Sequence, residues 1–137
     1  MKYAIRYYSR GGNTEKLAKK IEEIIGVEAK TVDEPLTEDV DILFLGSSVY
    51  AAGVDTNIKN FVSGINVNVG KVVNFSTAAI IESTYNQVKK LVEEKGIQMS
   101  DKEFHCKGSF SFVHRGRPND KDLNKLSDFV SKIVESE

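Results

Sequence analysis

Ser9-Arg10-Gly11-Gly12-Asn13-Thr14 joins an apolar run to a helical pattern, and these residue types at such a junction can hold a phosphate. The amides of Gly11, Gly12 and Asn13 sit where the N-terminus of the next helix presents unpaired N–H groups and the positive end of its dipole. Hydroxyls from Ser9 and Thr14 can close around the same anion, and the glycines let the backbone approach it. No Gly-Lys-Ser/Thr follows, so the P-loop pattern is missing; the glycines are adjacent and a third is lacking, so Gly-x-Gly-x-x-Gly is missing too. The loop equally fits an ordinary strand-to-helix turn capped by Asn13 or Thr14, and taken alone it does not choose.

Three more segments are rich in small or hydroxylated residues or carry polar groups. They are Ser47-Ser48-Val49-Tyr50-Ala51-Ala52-Gly53, Ser76-Thr77-Ala78-Ala79 and Val113-His114-Arg115-Gly116-Arg117-Pro118. Small side chains let a flat ligand lie against backbone, and Tyr50 could cover an aromatic ring by offset stacking. Metal chemistry has little support, because Cys106 is the only cysteine and His105 and His114 the only histidines. Cys106 reads as a small core residue and His114 as part of a solvated loop.

The elements that must position these segments alternate. Residues 3–8 read as a strand, and 14–25 as a helix with Leu17, Ala18, Ile21, Ile24 and Ile25 on one face, closed by Gly26. Residues 27–32 read as a second strand, and 41–46 as a third that is apolar on both faces. A short helix carrying Ile58, Phe61, Val62 and Ile65 follows, then a strand over 71–75 and a helix with Val88, Leu91 and Val92 ending at Gly96. Residues 103–112 read as a fifth strand, and Asn119 or Asp120 caps a last helix with an apolar stripe from Leu123 to Val134. Strands joined by helices form a mostly parallel sheet covered on both faces, with ligands at the carboxyl ends of its strands. The four segments above are those ends. Tyr7 and Tyr8 should therefore point to opposite faces.

Composition narrows the partners. The 137 residues, 40% hydrophobic, suit one domain with one core. Nineteen Lys and Arg against 20 Asp and Glu leave no nucleic-acid footprint and no polybasic membrane surface. The apolar run after Lys2 is broken by Arg6 and is no secretory signal, and no window is long and apolar enough to span a membrane. A soluble, cytoplasmic protein is expected.

With these residues in view, the chain resembles the flavodoxin-like family over nearly its whole length. Ser9-Arg10-Gly11-Gly12-Asn13-Thr14 matches the phosphate loop, Gly46 to Gly53 the second flavin loop, and Phe75-Ser76-Thr77 the third. Gly116-Arg117-Pro118-Asn119-Asp120-Lys121-Asp122-Leu123 is similar to the entry of the last helix in that family. The resemblance implies a three-layer α/β sandwich: a five-stranded parallel sheet in order 2-1-3-4-5 with helices on both faces. It implies FMN, with Ser9, Arg10, Gly11, Gly12, Asn13 and Thr14 around the phosphate, and Ser48, Val49, Tyr50, Ala51, Ala52, Gly53, Ser76, Thr77 and Ala78 along the ring. Gly53 matches the peptide that in flavodoxins turns a carbonyl toward flavin N5. Electron transfer through non-covalently bound flavin, with a redox partner protein, is the implied function. The chain has no Trp, offers only Tyr85 after the fourth strand, and is nearly neutral where flavodoxins are acidic. An open flavin face would also suit a quinone reductase-like or protoporphyrinogen oxidase-like enzyme acting on a flat aromatic substrate, or a dimer that covers it. A scaffold without flavin, acting as a binding module, is a third reading.

Overall fold

The protein is seen in a computed structural model that describes residues 1–9, 11–49, 55–78, 83–107 and 116–136. Its elements are β1 (Tyr3–Tyr7), α1 (Asn13–Ile25), β2 (Ala29–Thr31), β3 (Val40–Val49), α2 (Thr56–Ser63), β4 (Val69–Ala78), α3 (Tyr85–Glu94), β5 (Phe104–Lys107) and α4 (Asp120–Ser136). The five strands form one sheet in the order β2-β1-β3-β4-β5, and every pairing is parallel.

The alternation of side chains along each strand divides the core in two. Ile5, Tyr7, Ile42, Phe44, Val73 and Phe75 face α1 and α4, where Leu17, Ile21, Leu126, Val130 and Ile133 meet them. Ala4, Leu43, Leu45 and Val72 face the other way, onto Ile58, Phe61 and Val62 of α2 and Val88 and Val92 of α3. Tyr8 packs on this second core, so Tyr7 and Tyr8 do lie on opposite faces. Gly26 ends α1 in the left-handed region, φ 72°, and its amide bonds the carbonyl of Glu22.

Strand lengths depart from the expectation. The pairing of β3 with β4 runs on through Ser47–Ser76, Ser48–Thr77 and Val49–Ala78, residues read above as loop. The sheet can keep these polar residues buried because the hydroxyls of Ser48 and Thr77 find Thr14 of α1, and those of Ser47 and Ser76 find Thr84 at the start of α3. β2, by contrast, is a three-residue edge strand whose Lys30 and Thr31 are exposed. The fifth strand is described only over Phe104–Lys107, and the rest of its expected span, 108–112, lies outside the described residues.

Two residues hold this frame in ways composition alone does not suggest. Gly46 of β3 lies beside Phe75 of β4, and a Cβ at position 46 would run into the Phe75 ring. Arg6, in the middle of β1, is only 7% exposed. Its guanidinium donates to the carbonyls of Glu34 at 2.7 Å, Ile5 at 3.0 Å and Pro35 at 3.3 Å. It thereby fastens the β2–β3 connection to the sheet.

Candidate functional site

The residues that follow β1 turn the chain into α1 without a side-chain cap. Gly12 is the N-cap, in the left-handed region at φ 87°, and being glycine it brings no side-chain cap to the helix. The turn is held by the Gly12 amide, which donates to Ser9 Oγ at 3.0 Å, and by the Lys16 amide, which donates to the Gly12 carbonyl at 3.2 Å. Asn13 and Thr14, either of which could have been the cap, are instead the first helical residues, and both are buried. A Cβ at Gly12 would meet nothing within 4 Å among the described residues, which leave space at the helix start. Helix N-termini leave up to four N–H groups without intrahelical partners, which makes such a start a place for an anion. The single acidic residue of the first turn, Glu15, is drawn aside to the Tyr7 hydroxyl, which donates to Oε2 at 2.8 Å. Burial and then this hydrogen bond to a carboxylate push the Tyr7 phenol up to about 12.

Beneath the loop, the carboxyl ends of β3 and β4 carry buried polar side chains on both faces. On the α1 side, Thr14 Oγ1 is 3.1 Å from the Ser47 carbonyl, 3.2 Å from Ser48 Oγ and 3.0 Å from Thr77 Oγ1. On the α3 side, Ser47 Oγ donates to Thr84 Oγ1 at 2.9 Å, Asn74 Nδ2 donates to the same oxygen at 3.1 Å, and the Thr84 amide reaches Ser76 Oγ at 3.4 Å. No buried side-chain nitrogen or oxygen among the described residues lacks a partner.

Of the expected site residues, Ser9, Gly11, Gly12, Asn13 and Thr14 gather at the end of β1, and Ser48, Val49, Ser76, Thr77 and Ala78 at the neighbouring ends of β3 and β4. Arg10, Tyr50, Ala51, Ala52 and Gly53 lie outside the described residues, as do His114 and Arg115. Sequence reading missed Asn74 and Thr84. A polar residue inside the run Val72-Val73-Asn74-Phe75 was the available signal. Tyr85 packs on the α2/α3 core, and its hydroxyl donates to the Ser100 carbonyl at 2.8 Å.

At the far edge, the Gly116–Leu123 segment is a capping device. The Asp122 amide donates to Asn119 Oδ1 at 3.0 Å, while Asp122 Oδ2 accepts from the Asn119 amide at 2.9 Å. Arg117 forks onto the same carboxylate, with Nη2 to Oδ1 at 2.7 Å. Burial alone would raise the Asp122 pKa, but the bonds from Arg117 and the Asn119 amide outweigh it and hold the group below its ordinary value. Cys106 beside it is half-buried, and burial, with the Asp122 charge, pushes its thiol up to about 12. Among the described residues no group of three or more His, Cys, Asp or Glu side chains could hold a metal ion, and no helix is long and apolar enough to cross a membrane.

A family model described as the flavodoxin domain matches residues 4–110. The chain belongs to the flavodoxin domain family. Among flavodoxins of known structure, one from the domain Archaea superposes with a TM-score of 0.80 at 18% identity, covering 99% of this chain and 98% of that one. Oxidised flavodoxin 1 of Bacillus cereus gives a TM-score of 0.72 at 18% identity over 98% of each chain. These likenesses establish the flavodoxin fold. The rubredoxin:oxygen oxidoreductase of Desulfovibrio gigas contains a similar unit, TM-score 0.68 at 14% identity, where 98% of this chain covers 35% of the larger one. In sequence, an uncharacterized protein of Methanocaldococcus jannaschii is 26% identical over 99% of this chain and all of its own length.

Proposed function

We propose that this flavodoxin domain binds FMN without a covalent bond, as one domain, and transfers electrons through it to and from a redox partner protein. The observation that carries the reading is the glycine start of α1, which has no side-chain cap and, among the described residues, space around Gly12, at the ends of β1 and β3. In a sheet of order 2-1-3-4-5 that is the switch point, where the direction of sheet growth reverses and a crevice opens; flavodoxins themselves are the standard example of FMN bound there. The donor set fits a phosphate monoester: main-chain amides of a helix N-terminus, two glycines, and no carboxylate left free in the first turn beyond the one bonded to Tyr7.

Ser9, Gly11, Gly12, Asn13 and Thr14 would hold the phosphate by their loop and helix-start amides, with Arg10 beside them. Ser48, Val49, Tyr50, Ala51, Ala52 and Gly53 would line one side of the ring, and Ser76, Thr77 and Ala78 the other. When bound, the flavin supplies one- and two-electron chemistry. The chain's own part is to anchor the phosphate, keep water from the strand ends and fix the ring by a frame whose polar groups are already paired.

Purified chain is incubated with FMN, passed through a gel-filtration column, and its visible absorbance recorded. Retained flavin bands that disappear in Gly12→Glu, where a carboxylate enters the open space, are the expected result. Failure of the wild-type chain to retain FMN overturns the reading.

A further inference from the structure

The connection from β2 to β3, residues 32–39, carries no helix, whereas α1, α2 and α3 fill the other crossovers of the sheet. It runs beside α2 without filling the space a helix would take, and a cavity of 390 Å³ lies between the two, within the size range of small-molecule sites. Val32, Pro35 and Leu36 line it from the connection, and Phe61 and Ile65 from α2, so the slot is apolar on both sides. Its polar lining is Asp33, Asn57 and Asn60. Asn57 is held by its neighbour, Nδ2 donating to Asp55 Oδ1 at 2.7 Å. Asp33 and Asn60 are exposed, and their side chains have no hydrogen-bond partner among the described residues.

Position decides what such a slot can take. Tyr7 of β1 pairs with Thr31 of β2, and the Val32 amide donates to the Tyr7 carbonyl at 2.9 Å. Asp33 therefore follows the strand next to β1, whose end begins the Ser9–Thr14 loop, and neighbouring strands lie about 4.8 Å apart. An acidic residue about 20 residues beyond a glycine turn, after the second strand of a βαβ unit, is where dinucleotide-binding sheets hold the ribose. The physical reason is that a carboxylate only accepts, and a ribose diol has two hydrogens to give. A carboxylate also repels free anions, so a nucleotide bound here must keep its phosphates elsewhere, and the start of α1 is beside it. The apolar walls suit a flat base, and the free Asn60 amide can donate and accept at once, as the N6/N7 edge of adenine requires. We propose that this cavity is an adenosine site, with Asp33 on the ribose hydroxyls and Asn60 on the base. The inference rests on the phosphate loop of the FMN reading above. The adenosine has two sources: flavin adenine dinucleotide, its flavin in the FMN position, or a nicotinamide adenine dinucleotide bound beside FMN.

Calorimetric titration of the full chain with FMN and with FAD, and of the FMN-loaded chain with NADH, tests this. FAD binding at least about 10-fold tighter than FMN identifies the first source, and saturable NADH binding to the FMN-loaded chain the second. In either case Asp33→Asn should weaken the adenosine ligand roughly 10-fold or more, the worth of a hydrogen bond to a charged group, and Asn60→Ala roughly 3- to 12-fold. FMN itself should stay within about twofold in both variants. A wild-type chain that binds FMN, prefers it to FAD or holds the two equally, and takes no NADH overturns this inference alone. Adenosine-dependent binding that survives intact in both variants also overturns it, by placing the nucleoside elsewhere. Equal losses of FMN and the adenosine ligand overturn it too, because the effect is then on the fold. A wild-type chain that binds neither flavin overturns the FMN reading and this inference with it.

Discussion

Gly46→Ala is the substitution whose cost can be worked most directly from the packing. The added methyl would land within contact distance of Phe75 Cε2 and Cζ, with Cδ2 at 3.0 Å. Phe75 is 1% exposed, sits directly across from Gly46 in the β3–β4 pairing, and shares a core with Leu126, Val130 and Ile133. The ring is buried and must shift or rotate within this core, so the overpacking should cost about 1–3 kcal/mol. For 137 residues an unfolding entropy near 2.1 cal/mol/K per residue gives about 0.29 kcal/mol/K, so Tm should fall by roughly 3–10 °C. Thermal unfolding followed by circular dichroism measures this. Phe75→Leu in the same chain should recover part of the loss, making the double variant more stable than the two single effects predict. An unchanged Tm in Gly46→Ala, or strictly additive losses in the pair, would refute the reasoning.

Other outcomes follow from the ionisable groups. Glu15→Gln removes one of the two main causes that raise Tyr7 to about 12 but leaves its burial, so a spectrophotometric titration should show the Tyr7 phenol moving only part of the way to its ordinary value. In the wild-type chain this raised phenol stabilises the fold fully below about pH 10, and that contribution is lost as pH rises towards 12; Glu15→Gln should flatten the alkaline limb of the urea stability curve. Asp122→Asn should cost about 0.5–1.5 kcal/mol at pH 7, because Arg117 is partly exposed and the cap supplies much of the effect. Since Asp122 is held below its ordinary value, the gap between variant and wild type should be full above about pH 4 and close as pH falls through the native pKa, again by urea unfolding. Cys106, with its thiol pushed up to about 12, should react with iodoacetamide at pH 8 at least about 100-fold more slowly than a free cysteine, and recover normal reactivity in urea.

The alternation of strands and helices was legible because periodicity is local. The stripe Leu17, Ala18, Ile21 packs as read, Gly26 ends its helix, and Tyr7 and Tyr8 part to opposite faces. What escaped were contacts between residues far apart in the chain. Ser47, Ser48, Ser76 and Thr77 have loop-like composition, yet they pair in the β3–β4 ladder with their hydroxyls satisfied by Thr14 and Thr84. The choice of cap for α1 was left open for the same reason: Thr14 could cap a helix in isolation, but here its hydroxyl bonds the Ser47 carbonyl and Gly12 is the N-cap. Gly46 was read as the end of the third strand and the start of the segment likened to the second flavin loop, and the structure adds a packing reason for glycine in the ring of Phe75. Of the phosphate loop and its neighbours, half the chemistry was visible as residue types; the division of labour among hydroxyls was not.

Arg6 has a bearing on where the chain gives way. Its charge is permanent, and in its buried place the three carbonyls do the work of a hydration shell. Peeling away the 33–36 connection would strip two of the three carbonyls, Glu34 and Pro35, while the guanidinium stayed within the sheet, so this edge should resist fraying by small steps. A protease should find residues 33–36 closed until the whole domain unfolds, although Asp33, Glu34 and Pro35 are exposed. The shortest strand of the sheet thus borrows its permanence from the middle of its neighbour.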